Sequence, residues 1–562
     1  MKIKYYLTVV LSSITLASCS FLDFDETDGL MTKEDMYEYF GRTEGMLTHV
    51  YSYMPQDFGA INGAMRDCAS DDAEYGNVEG LVQIFNNGNW SAIKTADEAW
   101  GLYDGIRAAN AFIKDIAEAD FSRFEHQGDH QDNMKKLKYF PFEARVLRAH
   151  YFFELARRYG DIAMPLTVLS TDEANSIGKT KFADVINFIV SECTECAKNL
   201  PDSYVAEPGQ QTGRITKGFA MAVKSKALLY RASALHNPDN NVELWKQSAA
   251  AALDIINTGL YQLDPKETAN NVDSKELVLL RMNGEDFEFE KKNFPIRFTE
   301  GARSGNVATG TFPTQDLVDA FQTVNGYPVR LTNHGWESAD PDFDPAQPYA
   351  NRDPRFYRAV LANGMTFKGE TLECYEGGMD YAEVVKGGSP TGYYLRKYIQ
   401  ESASFEPEHN VKAKHHWVIY RYAETLLTYA ESMINAFGDV NYADQTYTLS
   451  ALEALNQVRA NAGMPAVVVC PKEEFIQHLR NEWRVEFAFE DHRFWDVRRW
   501  KIGASTQSQV SGVKIQKLSD GSFNYIRNTF EIRTWKECMN LYPIPQKELF
   551  INSNLNPQNQ GW

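Results

Sequence analysis

The twenty residues Asn481–Trp500, NEWRVEFAFEDHRFWDVRRW, hold five Asp or Glu, four Arg, one His, three Trp and three Phe. That mixture could be a metal centre, a nucleic-acid surface, a catalytic cluster or a set of internal struts. A metal would need imidazoles and carboxylates converging on an open position. Only His492 is present, and four arginines would compete with the cation. The apolar positions Trp483, Val485, Phe487, Ala488, Phe489, Phe494, Trp495, Val497 and Trp500 fall all round a helix rather than along one stripe, which predicts burial on every side. Buried charges must be paired. Glu482/Glu486 and Glu486/Glu490 stand at i,i+4, and Arg484, Arg493, Arg498 and Arg499 lie within reach of partners. The stretch therefore reads as scaffold, within one helix over Lys472–Trp500.

Other reactive residues are sparse. Of seven cysteines only Cys193 and Cys196 form a CxxC, with no second pair at zinc spacing. They lie inside an apolar helical pattern and read as two small buried hydrophobes. Asp340, Asp342 and Asp344 alternate as in a calcium loop, but Pro345 stands where that loop needs glycine and Asn351 where it needs glutamate. No GxSxG, HExxH or glycine-rich phosphate loop occurs, and no cofactor or resident metal is expected.

The elements that must carry these residues are mostly helical. Amphipathic periodicity predicts helices near Asp97–Ala119, Phe142–Tyr159, Phe182–Leu200, Lys217–His236, Val242–Thr258, Trp417–Phe437, Tyr447–Ala462 and Lys472–Trp500. Three repeat an alanine seven residues apart, at Ala149/Ala156, Ala227/Ala234 and Ala423/Ala430, with Phe152, Tyr230 and Leu426 three residues after the first. Small residues one heptad apart admit a neighbouring helix, as in stacked tetratricopeptide-like hairpins. Between Leu260 and Lys414 the chain turns rich in Gly, Pro, Asn and Asp, which predicts loops and short strands inserted into the helical frame. The expected fold is mainly α, organised as 19–260, an insertion over 261–414, and 415–562.

Composition narrows the partners. A net charge of −19, from 76 acids against 57 Lys and Arg, argues against a nucleic-acid backbone. The N-terminus MKIKYYLTVVLSSITLASCS has the basic end, apolar run and small-residue close of an export signal over 1–18. Leu16-Ala17-Ser18-Cys19 resembles a bacterial lipobox, which implies acylation of Cys19 and a membrane tether; an ordinary cleavage site is the alternative. The acidic leader SFLDFDETD resembles the export signal of surface lipoproteins in Bacteroidetes.

Several segments together resemble the SusD/RagB family of surface glycan-binding lipoproteins. They are EWRVEFAFEDHRFWDVRRW, PYANRDPRF (Pro348–Phe356), GYYLRKY (Gly392–Tyr398), ALEALNQVRANAGMP (Ala451–Pro465), EARVLRAHYFFELARRYGDIAMP (Glu143–Pro165) and the closing Leu541–Trp562. The resemblance implies one α-rich fold, capture of oligosaccharide or polysaccharide, and a lid role on a TonB-dependent, SusC-like transporter in the outer membrane.

Sugars lie on aromatic faces and accept paired hydrogen bonds from polar side chains. The best loop candidate is RDCASDDAEYGNVEGLVQIFNNGNW (Arg66–Trp90), with Asp71, Asp72 and Trp90 as ligand contacts. Trp336, Tyr375, Tyr394 and Arg396 are added from the insertion. The competing readings are a packing role for Trp90, helix capping for the two acids, and structural roles for the insertion residues. A surface glycoside hydrolase using Asp71 with another acid, or a repeat scaffold for other surface proteins, remain the alternatives to a binding protein.

Overall fold

The computed structural model describes residues 32–562 apart from 206, 208–210, 267, 300–309 and 383–386. The lipobox Cys19 lies outside the described residues. Helices α1 (Phe40–Ser52), α2 (Leu102–Ile116), α3 (Phe140–Tyr159), α4 (Phe182–Ala197), α5 (Lys217–Ala232), α6 (Val242–Thr258), α7 (Tyr422–Phe437) and α8 (Ala451–Asn461) pack each against the next. They are followed by α9 (Lys472–Glu486), α10 (Arg493–Arg499) and the short α11 (Gln546–Ile551).

The alanine register explains the close stacking. Ala149, Ala156, Ala227, Ala423 and Ala430 are fully buried, and Phe152, Tyr230 and Leu426 fill the spaces between. Ala234 does not belong to this register. The α5 helix ends at Ala232, and Ala234 lies exposed in the turn beyond it. Cys193 and Cys196 are buried on α4 with free thiols, as small core residues.

Two predicted helices are interrupted by other structure. Trp417–Arg421 belongs to a strand, because the β-branched and aromatic run AKHHWVIYR pairs across the base of the insertion before α7 begins. The expected helix over Lys472–Trp500 breaks between α9 and α10, where Phe489 (φ 62°) and Asp491 (φ 59°) take left-handed backbone. That conformation costs about 1–2 kcal/mol per L-residue. It turns Glu486 and Glu490 toward the same arginine.

The insertion is tied at its neck and tip. Strand β1 (Ala73–Tyr75) comes from the N-terminal loop, β2 (Leu277–Asp286), β3 (Thr311–Pro313), β4 (Val329–Thr332), β5 (Gly335–Ser338) and β6 (Tyr394–Leu395) from the insertion. Strands β7 (Ala413–Arg421), β8 (Gln509–Lys517) and β9 (Phe523–Ile532) follow, and shorter two-residue strands lie between these. Antiparallel pairing of β2 with β7 closes the neck, so α6 and α7 stack although residues 259–421 intervene. Pairing of β1 with β3, from Ala73↔Pro313 to Tyr75↔Thr311, fastens the N-terminal loop to the insertion. The β4/β5 and β8/β9 hairpins stand beside it.

Candidate functional site

The N-terminal loop is an anchored core element. Asp71 is 5% exposed and accepts from Arg493 Nε and Nη2 at 2.8 and 2.7 Å and from Gln507 Nε2 at 2.9 Å. Burial opposes ionisation, but Arg484 and Arg493 outweigh it and hold this carboxyl well below the usual range. Asp72 is fully buried and accepts from Arg484 Nε at 2.6 Å; here burial prevails and raises the pKa. Neither acid caps a helix or reaches solvent, so neither is placed to bind a sugar. Trp90 is 2% exposed, edge-on to Phe85 at 4.6 Å, Tyr542 at 4.8 Å and Trp562 at 4.9 Å between ring centroids. Its ring is a packing aromatic with no free face.

The C-terminal stretch is a set of buried ion pairs, with most partners supplied by distant segments. Arg421 donates to Glu490 Oε2 (2.8 Å), Glu276 Oε1 (2.7 Å) and Glu486 Oε1 (2.6 Å). Arg355 bridges Asp353 and Glu486, each at 2.7 Å, and Arg459 reaches Glu482 at 2.9 Å. Burial works against Glu486, yet Arg421 and Arg355 bring its pKa down to about 2. Arg499 donates twice to Glu431, at 2.6 and 2.9 Å. Arg498 differs from the expectation. Among the described residues it has no carboxylate partner; it donates to the Phe494 carbonyl and lies 3.3 Å from the Phe494 ring centroid. Burial lowers its pKa to about 9.

The insertion candidates divide. Trp336 (5% exposed) packs among Tyr349 and Tyr525, and Tyr394 (0%) donates to the Asp380 carbonyl at 2.8 Å. Both are core residues, removed from any surface ligand. Tyr375 is half-buried, tilted against Phe523 at 5.4 Å with Lys517 over its ring at 4.9 Å. Arg396 is half-buried and paired with Glu401 at 2.8 Å. These two keep solvent access. The aspartates of 340–344 satisfy local turns: Asn325 Nδ2 bridges Asp340 and Asp342, and Asp344 accepts from Ala346 N.

A concave site that periodicity does not reveal opens between the start of α2, the 163–177 segment and α11. This cleft of about 260 Å³ is lined by Trp100, Tyr103, Asp104, Arg107, Asn175 and Glu548, among others. Trp100 and Tyr103 stand 5.0 Å apart and tilted by 60°, with Tyr159 edge-on behind Trp100. Tyr103 Oη donates to Ala163 O at 3.1 Å, which fixes its ring, and one Arg107 nitrogen donates to Leu169 O at 3.1 Å. An apolar floor with acids, an amide and a guanidinium around it suits a hydroxyl-rich ring that stacks by its C–H face. In the sequence Trp100, Tyr103, Asp104 and Arg107 fall on an amphipathic pattern and look like ordinary helix surface. Only the return of residues 548–555 makes them a cleft.

Comparison with known proteins fits this architecture. The sequence profile of the SusD family matches residues 276–562, and the chain belongs to that family. A SusD-like protein P2 of Formosa agariphila is 22% identical over 592 residues, covering 100% of both chains. A SusD-like protein of Bacteroides fragilis superposes with a TM-score of 0.76 at 26% identity, over 94% of this chain and 98% of its own. A SusD-like carbohydrate-binding protein of the same species gives 0.73 at 24% identity, over 93% and 100%. A laminarin-binding SusD-like protein gives 0.58 at 22% identity, over 93% and 99%.

Proposed function

We propose that this protein captures oligo- or polysaccharide at the cell surface, without chemistry of its own, and serves as the lid of a TonB-dependent outer-membrane transporter. The observation that carries glycan capture is the Trp100/Tyr103 cleft, an aromatic floor beside Asp104, Arg107 and Glu548. Family membership and the carbohydrate-binding and laminarin-binding neighbours support the same reading. Tyr375 and Arg396, the two sequence candidates with solvent access, are further points for a longer chain to touch. The tether is the acylated Cys19; no described helix is long and apolar enough to cross a membrane.

Affinity electrophoresis against a polysaccharide panel that includes laminarin tests the proposal, with Trp100→Ala and Arg107→Ala alongside. Retardation of the unaltered protein by one glycan, lost in both variants, is the expected result. Retardation that survives both substitutions removes the cleft, and release of shorter sugars from the retained glycan overturns the non-catalytic reading. Co-purification of a TonB-dependent transporter from detergent-solubilised outer membranes tests the lid role.

A further inference from the structure

One cluster lies apart from the cleft and from the ion-pair core. Helix α9 starts at Lys472 behind Pro471, and its first turns place Glu474 and His478 at i,i+4 on one face. Cys470, four residues before Glu474, falls over the same face. One ligand atom from each of the three lies within 4.8 Å of the other two, and His478 Nε2 stands 3.8 Å from Glu474 Oε1. Among the described residues this is the one grouping of three or more His, Cys, Asp or Glu side chains that close.

The chemistry of the set is specific. A tetrahedral zinc with Zn–S near 2.3 Å and Zn–N and Zn–O near 2.0 Å spaces its ligand atoms by roughly 3.3–3.5 Å. Side-chain rotation alone closes the remaining gap. Glu474 is free to make it, with its side chain 59% exposed, and the His478 side chain is 34% exposed. Among the described residues Cys470 packs against the apolar core beside it, and no hydrogen bond or ion pair from a side chain outside the trio holds Cys470 or Glu474. Cys470 has a free thiol at an intermediate depth, and Cys193, Cys196, Cys68 and Cys374 are buried away from solvent. A CxxxExxxH run escapes a search for CxxC or HExxH spacing, because one ligand precedes the helix and two ride on it.

We infer that Cys470, Glu474 and His478 form a surface site for one divalent transition metal of the zinc class, with a fourth position open to water. Thiolate with imidazole selects such ions over calcium and magnesium. The carboxylate completes the set at the exposed start of α9, and His478 stands one turn before the buried Glu482.

Cobalt(II) titration of the purified full-length chain, followed by absorbance, tests the site. A thiolate-to-cobalt charge-transfer band saturating at one cobalt per chain, displaced by zinc but not by calcium or magnesium, is expected. Cys470→Ser and His478→Gln should each weaken the binding by an order of magnitude or more, while Cys538→Ser, the other partly exposed cysteine among the described residues, should leave it unchanged. None of the three positions is fully buried, and unchanged far-ultraviolet circular dichroism checks the fold. No band, a band that survives Cys470→Ser, or a band that survives His478→Gln overturns the site; the last two outcomes assign the signal to another thiol or to a lone-thiol adduct.

Discussion

Asp71 and Arg493, 422 residues apart in the chain, form a two-pronged ion pair in the interior, at 2.8 and 2.7 Å. With Arg484 on Asp72 it bolts the N-terminal loop to the C-terminal helices. The pair accounts for the conspicuous acids of one segment and the conspicuous arginines of another with a single structural role.

Removing one member of a buried pair strands the other, which typically costs about 3–5 kcal/mol. Arg493→Met should therefore lower unfolding stability by that order in chemical denaturation. Asp71→Asn, which keeps the shape, should destabilise while leaving glycan retardation of the folded protein intact. Lost retardation without lost stability would return Asp71 to the ligand.

Trp90 predicts a similar separation. Trp90→Ala empties a pocket bounded by Phe85, Tyr542 and Trp562 and should cost roughly 3–5 kcal/mol in denaturation. Once folded, the variant should bind glycan as before in affinity electrophoresis, whereas Trp100→Ala should show the reverse pattern.

Neighbouring arginines should behave oppositely. Arg499→Met leaves Glu431 buried and unpaired, with an expected loss of about 3–5 kcal/mol. Arg498→Met removes a desolvated cation that faces Phe494, Trp90 and Trp535 rather than a carboxylate. The cation–π attraction it gives up, about 0.5–2 kcal/mol, is balanced by relief from burial. Its effect should stay within about 1 kcal/mol of zero, and urea midpoints for the two variants decide the matter.

His150 gives the pH dependence. It is buried beside Glu154, Arg157, Arg158 and Lys226, and burial lowers its pKa to about 4. In the unfolded chain it titrates near 6.5. Between those values the unfolded state binds the extra proton, so stability is full above about pH 6.5 and falls on acidification toward pH 4. The loss from this group is about 3 kcal/mol. Glu154, Glu424 and Glu486, held near 2 by basic neighbours that outweigh their burial, add losses only below their unfolded values near 4.5. His236, likewise lowered to about 4 by burial, acts in the same window, so His150→Gln should remove about half of the histidine-driven slope from pH 6.5 to 4.5 and leave the steeper acid limb; an unchanged slope in that upper window would refute the assignment.

The amino-acid sequence by itself determined the helical frame, the presence of a loop-rich insertion and the structural nature of Asn481–Trp500. Each rests on local rules: heptad-spaced alanines admit a neighbouring helix, dense Gly and Pro break periodicity, and apolar residues all round a segment demand burial. Family motifs carried the resemblance to SusD-like proteins for the same reason, since they are contiguous. Only the tertiary structure decided the partners and the surface. Arg421 meets Glu276 because β2 pairs with β7, and Asp71 meets Arg493 because the N-terminal loop is drawn inward. Helical periodicity cannot announce such contacts, because the residues that satisfy them are 145 and 422 positions apart in the chain. The same limit explains Trp90. An aromatic after an Asn/Gly run has the look of a loop-borne sugar platform, yet burial is a property of what packs over it, and Tyr542 and Trp562 arrive from the far end of the chain.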